Sequence, residues 1–588
     1  MCVIIKNTLT NNYLILKSFK SYLFLSIIGL ISATLGIVVD GLVIGNFLGN
    51  DGMVAYGLVS PVFILILAFA TVFGNGGTIL SSNYIGREER EKVNSSFTMA
   101  CLIGLITSIV ITAFSPFYVD YLSVLLGATG ALTRMASDFM FGLILGTISL
   151  IFSQILFLYT RLDNNPNLGL ISIIITTVFN ITLDILFVTV LHLGIFGIGI
   201  ATSISYGLGA LVLCTHFFTK NNTLYFSKIH DFNQAIDIIK IGLPTALNRV
   251  FTMARTIVTN NVALWVGGVI VMGALTIQSS INQLLSAVAM GVGMTTMLLG
   301  GIFYGEEDRR SLADLLKISI KWGLYIIVPI SVFVIVFAPF LVGLFGKNPE
   351  VLPTATVSLR LFALSLPPSL IGVVFLNFYS SINNTTMANY IGFAHSFLLI
   401  SLFAVVLTPI IGDTGLWLCF FLGETFTLIG LIILIRTKTG RWPRKINDFL
   451  ILDDSFEKNI KNSISISIGN DMDQVMELSN KIYSFIDKYP QYEDKLKKIA
   501  LCVEEMAGNI VEHGFESSKQ HYIDIRILLT EGGVIFRIRD DGKPFNPIEY
   551  GNDMSISKNK LGISIVRKIA KDISYRNTIG LNNLTIVL

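Results

Sequence analysis

Leu168 to Val190 read LGLISIIITTVFNITLDILFVTV, twenty-three residues in which Asp184 is the single charged side chain. A helix needs about 20 apolar residues to cross the hydrocarbon core of a bilayer, so this stretch predicts a membrane span. Asn180 and Asp184 are one turn apart and lie on the same face of that helix. Because a carboxylate is costly to insert into a membrane, we expect this face to point toward other helices rather than lipid.

The same pattern recurs along the chain. Of its 588 residues, 53% are hydrophobic and 14% charged, and the mean hydropathy is +0.70. Soluble proteins carry about 25% charged residues, so the composition favours a membrane protein. We predict an all-α polytopic fold with twelve transmembrane helices, near 22–45, 57–82, 97–118, 138–160, 168–190, 194–218, 241–266, 270–302, 319–345, 361–381, 390–411 and 415–436.

The two halves of this region resemble each other at an offset of 213 to 220 residues. Ile28-Gly29-Leu30 recurs as Ile241-Gly242-Leu243, and YTRLDNN at 159–165 recurs as YSSINN at 379–384. A repeat of six spans predicts two lobes, with the substrate site between them. The predicted boundaries are an N-terminal cytoplasmic segment at 1–21, an N-lobe at 22–218, a linker at 219–240 and a C-lobe at 241–436.

Loop charges predict the orientation. With the even-numbered loops and both flanks on one side, that side holds 19 Lys and Arg residues, whereas the other holds Arg134, Lys347 and Arg360. The positive-inside rule then places both termini in the cytoplasm. We therefore expect a multi-pass protein of the cell membrane.

Three carboxylates fall inside predicted spans: Asp40 in span 1, Asp184 in span 5 and Glu424 in span 12. Buried acids of this kind mark ion or proton pathways. The alternative is a structural polar link, or an interfacial position for Asp40 near the end of its span. Glu424 has no polar neighbour at helical spacing, so its role stays open.

Residues 22–436 resemble the multidrug and toxic compound extrusion (MATE) transporters, and within them the DinF-like branch. The resemblance rests on the order and spacing of short motifs: Val39-Asp40, Gly57-Leu58-Val59-Ser60-Pro61, Tyr84-Ile85-Gly86, Arg161 through Pro166 (RLDNNP), Asn180 with Asp184, and Gly242-Leu243-Pro244. It implies export of drugs or other amphipathic organic compounds in exchange for H⁺ or Na⁺. The coupling ion would bind at Asp40, Asn180 and Asp184. Other branches use carboxylates in spans 7 and 10, where this chain has none.

A second composition begins after the last span. Residues 1–445 carry a net charge of +6 and residues 446–588 carry −3, and periodicities of strands and amphipathic helices replace the apolar runs. After a linker at 437–454, residues 455–588 are predicted to form an α+β domain. It resembles the GHKL (Bergerat-type) ATP-binding domain of histidine kinases, and most closely the anti-sigma-factor serine kinases.

The resemblance implies binding of ATP and Mg²⁺. Asn509 would hold the metal, Glu505, one turn before it, would position or deprotonate a water or hydroxyl, and Asp540 would accept from the adenine amino group. Gly542 belongs to the same turn as Asp540, and the second glycine box holds Lys560 and Gly562. Lys560 departs from the family because it stands where the first glycine usually does. A soluble anti-anti-sigma-type protein is the partner this resemblance implies.

The sequence thus favours a cation-coupled exporter of small organic substrates with a regulatory ATP-binding tail, and it indicates no nucleic-acid partner. One alternative is a membrane-anchored serine/threonine kinase of the anti-sigma type. Another is a flippase for lipid precursors on the same helix bundle. ATP-driven pumping is not expected, since the chain lacks a P-loop glycine-lysine motif.

Overall fold

The computed structural model describes residues 12–86, 90–163, 165–219, 222–229, 232–346, 348–382, 384–453, 456–486, 488–515, 521–548, 558–578 and 581–588. The chain divides into two compact units. The membrane unit comprises Leu25–Met297 and Ser319–Phe449. The tail unit comprises Met1–Phe24, Leu298–Ile318 and Leu450–Leu588, so it includes two segments from outside the C-terminal domain.

Long apolar helices build the membrane unit, and several of them extend into the tail unit. In chain order the helices are α1 (Tyr13–Val43), α2 (Gly49–Gly86), α3 (Arg90–Leu125), α4 (Ala131–Leu145), α5 (Thr147–Leu162), α6 (Pro166–Thr189), α7 (Gly194–Cys214), α8 (Asn233–Gly305), α9 (Arg309–Gly343), α10 (Val351–Ala363), α11 (Leu366–Ser381), α12 (Thr385–Phe393), α13 (Leu399–Ile411) and α14 (Asp413–Thr439). Short π-helical segments follow α1 and join α12 to α13.

Several predicted spans are joined or bent. Predicted spans 7 and 8 are the two arms of α8, which breaks at Gly267 and Gly268, where the backbone leaves helical geometry. Two pairs of consecutive helices are bent against each other, α4 with α5 at 45° and α10 with α11 at 48°. By length and composition, eight helices within the described ranges could cross a membrane, or ten if each bent pair is one span. Twelve spans therefore stay a prediction.

Close backbone approach holds the N-terminal helices of the membrane unit together. A Cβ added at Gly199 of α7 would lie 2.7 Å from the Phe139 carbonyl oxygen of α4, and one at Gly142 would lie 2.9 Å from the Phe196 carbonyl. Only glycine permits this contact, because any side chain would separate the two helices. Helix α7 also packs against α6, which carries Asn180 and Asp184.

The C-terminal part of the tail unit is a five-stranded antiparallel sheet with three helices. The strands are β1 (Ile460–Gly469), β2 (Tyr522–Thr530), β3 (Gly533–Asp540), β4 (Asp572–Thr578) and β5 (Leu581–Val587), in the order β1-β2-β3-β5-β4. The helices are α15 (Met472–Ile486), α16 (Glu493–His513) and α17 (Lys558–Ile569).

Alternation along these strands gives the sheet two different faces. Ile523, Ile525 and Ile527 of β2 join Phe536 and Ile538 of β3 in one buried core with the helices. The residues between them point to the opposite face, which carries Arg526, Arg537 and Arg539. The fold is thus a helix-on-sheet sandwich, as the sequence predicts.

Candidate functional site

Two carboxylates that are far apart in sequence meet inside the membrane unit. Asp40 comes from α1 and Asp184 from α6; both are buried, and each lies in hydrogen-bonding range of the other. Asn180 donates from Nδ2 to Asp184 Oδ2 at 3.3 Å, and it also lies in hydrogen-bonding range of Asp40. The three residues singled out by the resemblance to MATE transporters are therefore brought together.

Neighbouring helices supply further polar groups that the sequence did not single out. Thr202 of α7 places its hydroxyl oxygen 3.5 Å from Asn180 Nδ2. Tyr56 of α2 and Tyr206 of α7 are half-buried and lie within electrostatic range of Asp40. These groups lie on other helices at no fixed spacing from Asp184, so no local pattern could have identified them.

The arrangement can bind a small cation. Two carboxyl groups this close together in a buried site cannot both stay ionised without a proton or another cation between them. Within the described residues, one oxygen of each acid, Asp40 Oδ1 and Asp184 Oδ1, is buried without a hydrogen-bond partner. These oxygens, with the amide and hydroxyl groups beside them, are suitable ligands for H⁺ or for a hard cation such as Na⁺.

In the tail unit, α16 carries two residues of the expected nucleotide site. Glu505 and Asn509 lie one turn apart on this helix, and a Cβ added at Gly562 of α17 would overlap Glu505 Oε2. The glycine therefore lets α17 approach the carboxylate closely. Asn509 Nδ2 is buried and has no hydrogen-bond partner within the described residues. An amide held ready in this way fits a site for a metal-bound phosphate.

The adenine-binding turn predicted at Asp540 is tightly held. Asp540 Oδ1 accepts from the Gly542 amide and from Asn582 Nδ2, both at 2.8 Å. A Cβ at Gly542 would lie 2.7 Å from the Gly514 carbonyl oxygen at the end of α16, so the turn packs against that helix. Asn582 on β5 is a positioning residue that the sequence did not indicate. Burial raises the pKa of Asp540 to about 6, although both hydrogen bonds oppose the shift.

Lys560 completes the list of predicted nucleotide contacts. Its backbone belongs to the first turn of α17, but its side chain lies outside the described part of the chain, as do residues 549–557 before that helix. Its contact with phosphate thus stays a prediction.

The next residue in the turn, Asp541, connects it to the first helix of the chain. The buried carboxylate of Asp541 binds Lys17 Nζ of α1, and His521 Nδ1 lies 3.1 Å from the same oxygen. The ring of Tyr13, one turn before Lys17, packs 5.0 Å from that of Tyr522. The start of α1 therefore lies beside the candidate nucleotide site.

Three arginines on the open face of the sheet hold the loop between α8 and α9. Arg526 donates to the Glu306 carbonyl at 3.0 Å and to the Glu307 carbonyl at 2.8 Å. Arg537 donates to the same Glu306 carbonyl, and Arg539 pairs with the Glu306 carboxylate. We call these arginines and the loop they bind, residues 306–308, the loop clasp.

Electrostatics and aromatic packing reinforce the loop clasp. Burial raises the pKa of Asp308, but Arg526, Arg539 and hydrogen bonds from Ser311 outweigh it and lower the pKa overall. The Arg539 guanidinium lies 4.9 Å from the centre of the Phe303 ring, and the Tyr304 ring stacks on Phe456 at 5.3 Å. A charged, hydrogen-bonded and partly buried contact of this kind is stronger than an exposed ion pair.

A helical membrane unit with a buried carboxylate pair, joined to a sheet domain with a nucleotide-type site, defines a transporter with an appended ATPase-type domain. The MatE family model matches residues 26–186 and 244–406, more than half of the chain, and the chain therefore belongs to the MATE transporter family. A second model, the histidine kinase-like ATPase domain, matches residues 469–588.

Individual proteins give the same result. The multidrug export protein MepA of Staphylococcus haemolyticus is 26% identical over 388 residues, which is 65% of this chain and 84% of that protein. MepA of Staphylococcus aureus strain MSSA476 is 23% identical over 400 residues, covering 66% and 87% of the two chains.

Solved structures support the fold. An inward-facing multidrug resistance MATE transporter of the MOP superfamily aligns with a TM-score of 0.65 and 22% identity, over 69% of this chain and 94% of its own. A MOP superfamily transporter from Pyrococcus furiosus, described as having a binding pocket of reverse polarity, aligns with a TM-score of 0.60 and 22% identity, over 72% and 95%.

Proposed function

We propose that this protein is a cation-coupled antiporter that exports organic compounds, and that its ATP-binding tail regulates transport. The buried, hydrogen-bonded pair of Asp40 and Asp184 carries the transport proposal. Its two acids come from different helices, so binding or loss of a cation changes the force between α1 and α6. The export of organic compounds is supported by the similarity to the MepA proteins.

Coupling follows from the charge of this pair. Uptake of a cation from outside reduces the negative charge of the pair and favours close packing of the two helices, and its release inside restores the repulsion. An antiporter needs one such group whose occupancy is linked to the side on which the cavity opens. Asn180 and Thr202 orient the acids.

The test is flux of a fluorescent organic cation in proteoliposomes under an imposed H⁺ or Na⁺ gradient. Asp40→Asn should remove gradient-driven flux, by about 100-fold or more, because a neutral amide cannot exchange the ion. Asp138→Asn, at an exposed aspartate of α4, is the matched control and should transport like the parent protein. Unchanged gradient-driven flux in a folded Asp40→Asn protein would refute the coupling role.

The same proposal assigns roles around the nucleotide. Asn509 holds Mg²⁺, Asp540 accepts from the adenine amino group, and Gly562 allows the start of α17 to approach the phosphates. Bound Mg²⁺-ATP would supply a phosphoryl group or a binding signal, and Glu505 is placed to orient a water or hydroxyl beside it. Whether the tail transfers, hydrolyses or only senses ATP is a separate question from whether it regulates.

Two contacts in the tail unit support regulation. Lys17 of α1 binds Asp541 next to the adenine-binding residue, and the loop clasp holds the connection between α8 and α9. Both partners are extensions of membrane helices, so a change in the ATPase domain acts directly on α1, α8 and α9. The short linker at 437–454 adds a covalent connection to α14.

Truncation after Lys445 tests the regulatory role. The shortened protein should keep its ion coupling but lose the dependence of its transport rate on ATP inside the vesicles. A shift of about 1.4 kcal/mol between inward- and outward-facing states would change the rate up to tenfold. Equal rates and an equal ATP response in the full and shortened proteins would exclude regulation by the tail.

A further inference from the structure

The C-terminal half of the membrane unit contains a second buried group of ionisable side chains, built around Glu424. Glu424 lies near the middle of α14 and is 5% exposed. Its Oε2 is 2.6 Å from Nδ1 of His395. The two residues are on different helices, so tertiary packing brings them together.

Four segments enclose this pair. His395 belongs to the π-helical turn Ala394–Leu398, a local widening that is frequent at functional sites. On α11, a Cβ added at Gly372 would lie 3.7 Å from His395 Nδ1 and 3.8 Å from Glu424 Oε2, so the glycine backbone closes one side. Arg255 of α8 is half-buried and lies within electrostatic range of Glu424.

The charges of this group differ from those of Asp40 and Asp184. Arg255 and ionised Glu424 balance each other, and a neutral His395 leaves the group without net charge. Among the described residues, Cys419 of α14 is the other titratable group within electrostatic range of Arg255. The site therefore has a permanent positive charge within electrostatic range of its carboxylate, which disfavours a metal cation such as Na⁺.

A proton suits this site for the same reason. His395 Nδ1–H donates to Glu424, which leaves Nε2 as the basic nitrogen. A proton added at Nε2 forms an imidazolium that stays hydrogen-bonded to the carboxylate, so no bond to the protein needs to break. Histidine is the side chain whose ordinary titration falls between about pH 5 and 8. The His395 side chain is 14% exposed, which gives the proton access.

We propose that His395 and Glu424 form a second proton-binding site in the C-terminal half of the membrane unit, selective for H⁺ over Na⁺. It is separate from the Asp40 and Asp184 site, and its proton binding does not depend on which substrate the protein exports.

A buried tryptophan makes the site measurable. Trp417 lies two turns before Glu424 on α14, on the same face, and its side chain is fully buried. Replacing the other three tryptophans, Trp265, Trp322 and Trp442, by Phe leaves Trp417 as the single reporter in the full-length protein. Its fluorescence is then followed in detergent from about pH 8 to about pH 5.

We expect a sigmoidal change that disappears in His395→Gln. Glu424→Gln should lower its midpoint by about one pH unit or more, because the imidazolium loses its carboxylate. Addition of about 0.1 M Na⁺ should not move the midpoint. His216→Gln is the matched control: His216 is paired with Asp163 at 2.7 Å in the N-terminal half, and its loss should leave the Trp417 titration unchanged.

Three results would overturn the proposal. The fluorescence of the single-tryptophan parent does not change with pH, the change is equal after His395→Gln, or Na⁺ moves the parent's midpoint as far as the Glu424→Gln substitution does. If His395→Gln does not fold, Glu424→Gln and Glu424→Asp decide the question. The Asp variant keeps a carboxylate and should retain a midpoint above that of the Gln variant. Neither measurement requires that the protein transports any particular compound.

Discussion

Asp540 shows how burial sets the working range of the nucleotide site. Its carboxyl must be ionised to accept from the adenine amino group, and burial raises its pKa to about 6. Nucleotide affinity should therefore be full near pH 7.5 and fall about tenfold by pH 5, as most of the carboxylate is protonated. Titration calorimetry of the full-length protein with Mg²⁺-ATP at several pH values measures this.

The raised pKa of Asp540 also determines whether its ionisation stabilises or destabilises the folded protein. Because the folded-state pKa lies above the unfolded value, ionisation of Asp540 destabilises the ligand-free fold as the pH rises from about 4 to about 6. The Asp540→Asn protein should bind ATP weakly at every pH. Its stability should also lose the pH dependence that the Asp540 carboxyl contributes. A parent protein whose affinity is constant between pH 7.5 and 5 would contradict the assigned role.

Single residues also show what sequence reasoning could reach. Asp40, Asn180, Glu505 and Asn509 were predicted because unusual residues stood in recognisable patterns. His395 and Lys17 were missed, since their partners are 29 and 524 residues away and no short pattern connects them. Contacts that depend on tertiary packing leave no local signal in one sequence.

At the scale of elements, hydropathy located the apolar segments but not how they are joined. The break in α8 follows the predicted boundary between 266 and 270, because Gly267 and Gly268 stand there. The bends between α4 and α5 and between α10 and α11 were not predicted. At each bend the chain forms two short helices of ordinary composition. Because hydropathy is averaged over a window that covers both helices, the bend leaves no signal in it.

The break in α8 gives a prediction of its own. Gly268 has φ +57° and ψ −139°, a conformation that only glycine adopts readily. Gly268→Ala should destabilise the protein by about 1–3 kcal/mol, and its thermal unfolding midpoint in detergent should fall by several degrees. Gly301→Ala, in a helical part of α8 where an added Cβ meets nothing within 4 Å, is the control and should change little. Equal midpoints for both variants would mean that the break is not strained.

At the scale of the molecule, α1 is a single helix with a proposed site near each end. Lys17 binds the Asp541 carboxylate in the tail unit, and Asp40 lies 23 residues further along in the membrane unit. Because Lys17 and Asp40 belong to one helix, we expect occupancy of the two sites to be linked.

Reciprocity makes this linkage measurable through ATP alone. Asp40→Asn, which mimics the neutral acid, should change the Kd of full-length protein for Mg²⁺-ATP about 3- to 10-fold. In a Lys17→Gln background, Asp40→Asn should leave the Kd for Mg²⁺-ATP unchanged. In a Lys20→Gln background, three residues further along α1, Asp40→Asn should still change the Kd. An equal change with and without Lys17 would show that α1 does not connect the sites.

The loop clasp has a consequence for how this protein can diverge. Arg526 and Arg537 bind carbonyl oxygens of residues 306 and 307, groups that every amino acid carries. Mutations that alter the side chain at Glu307 would therefore leave those bonds intact, whereas inserting or deleting one residue would misalign every carbonyl. Descendants of this gene should accumulate substitutions at position 307, while the length of the loop and the acid at Glu306, which pairs with Arg539, are kept. Grafting the ATPase domain onto another exporter would then require a loop of the same length with an acid at the position of Glu306.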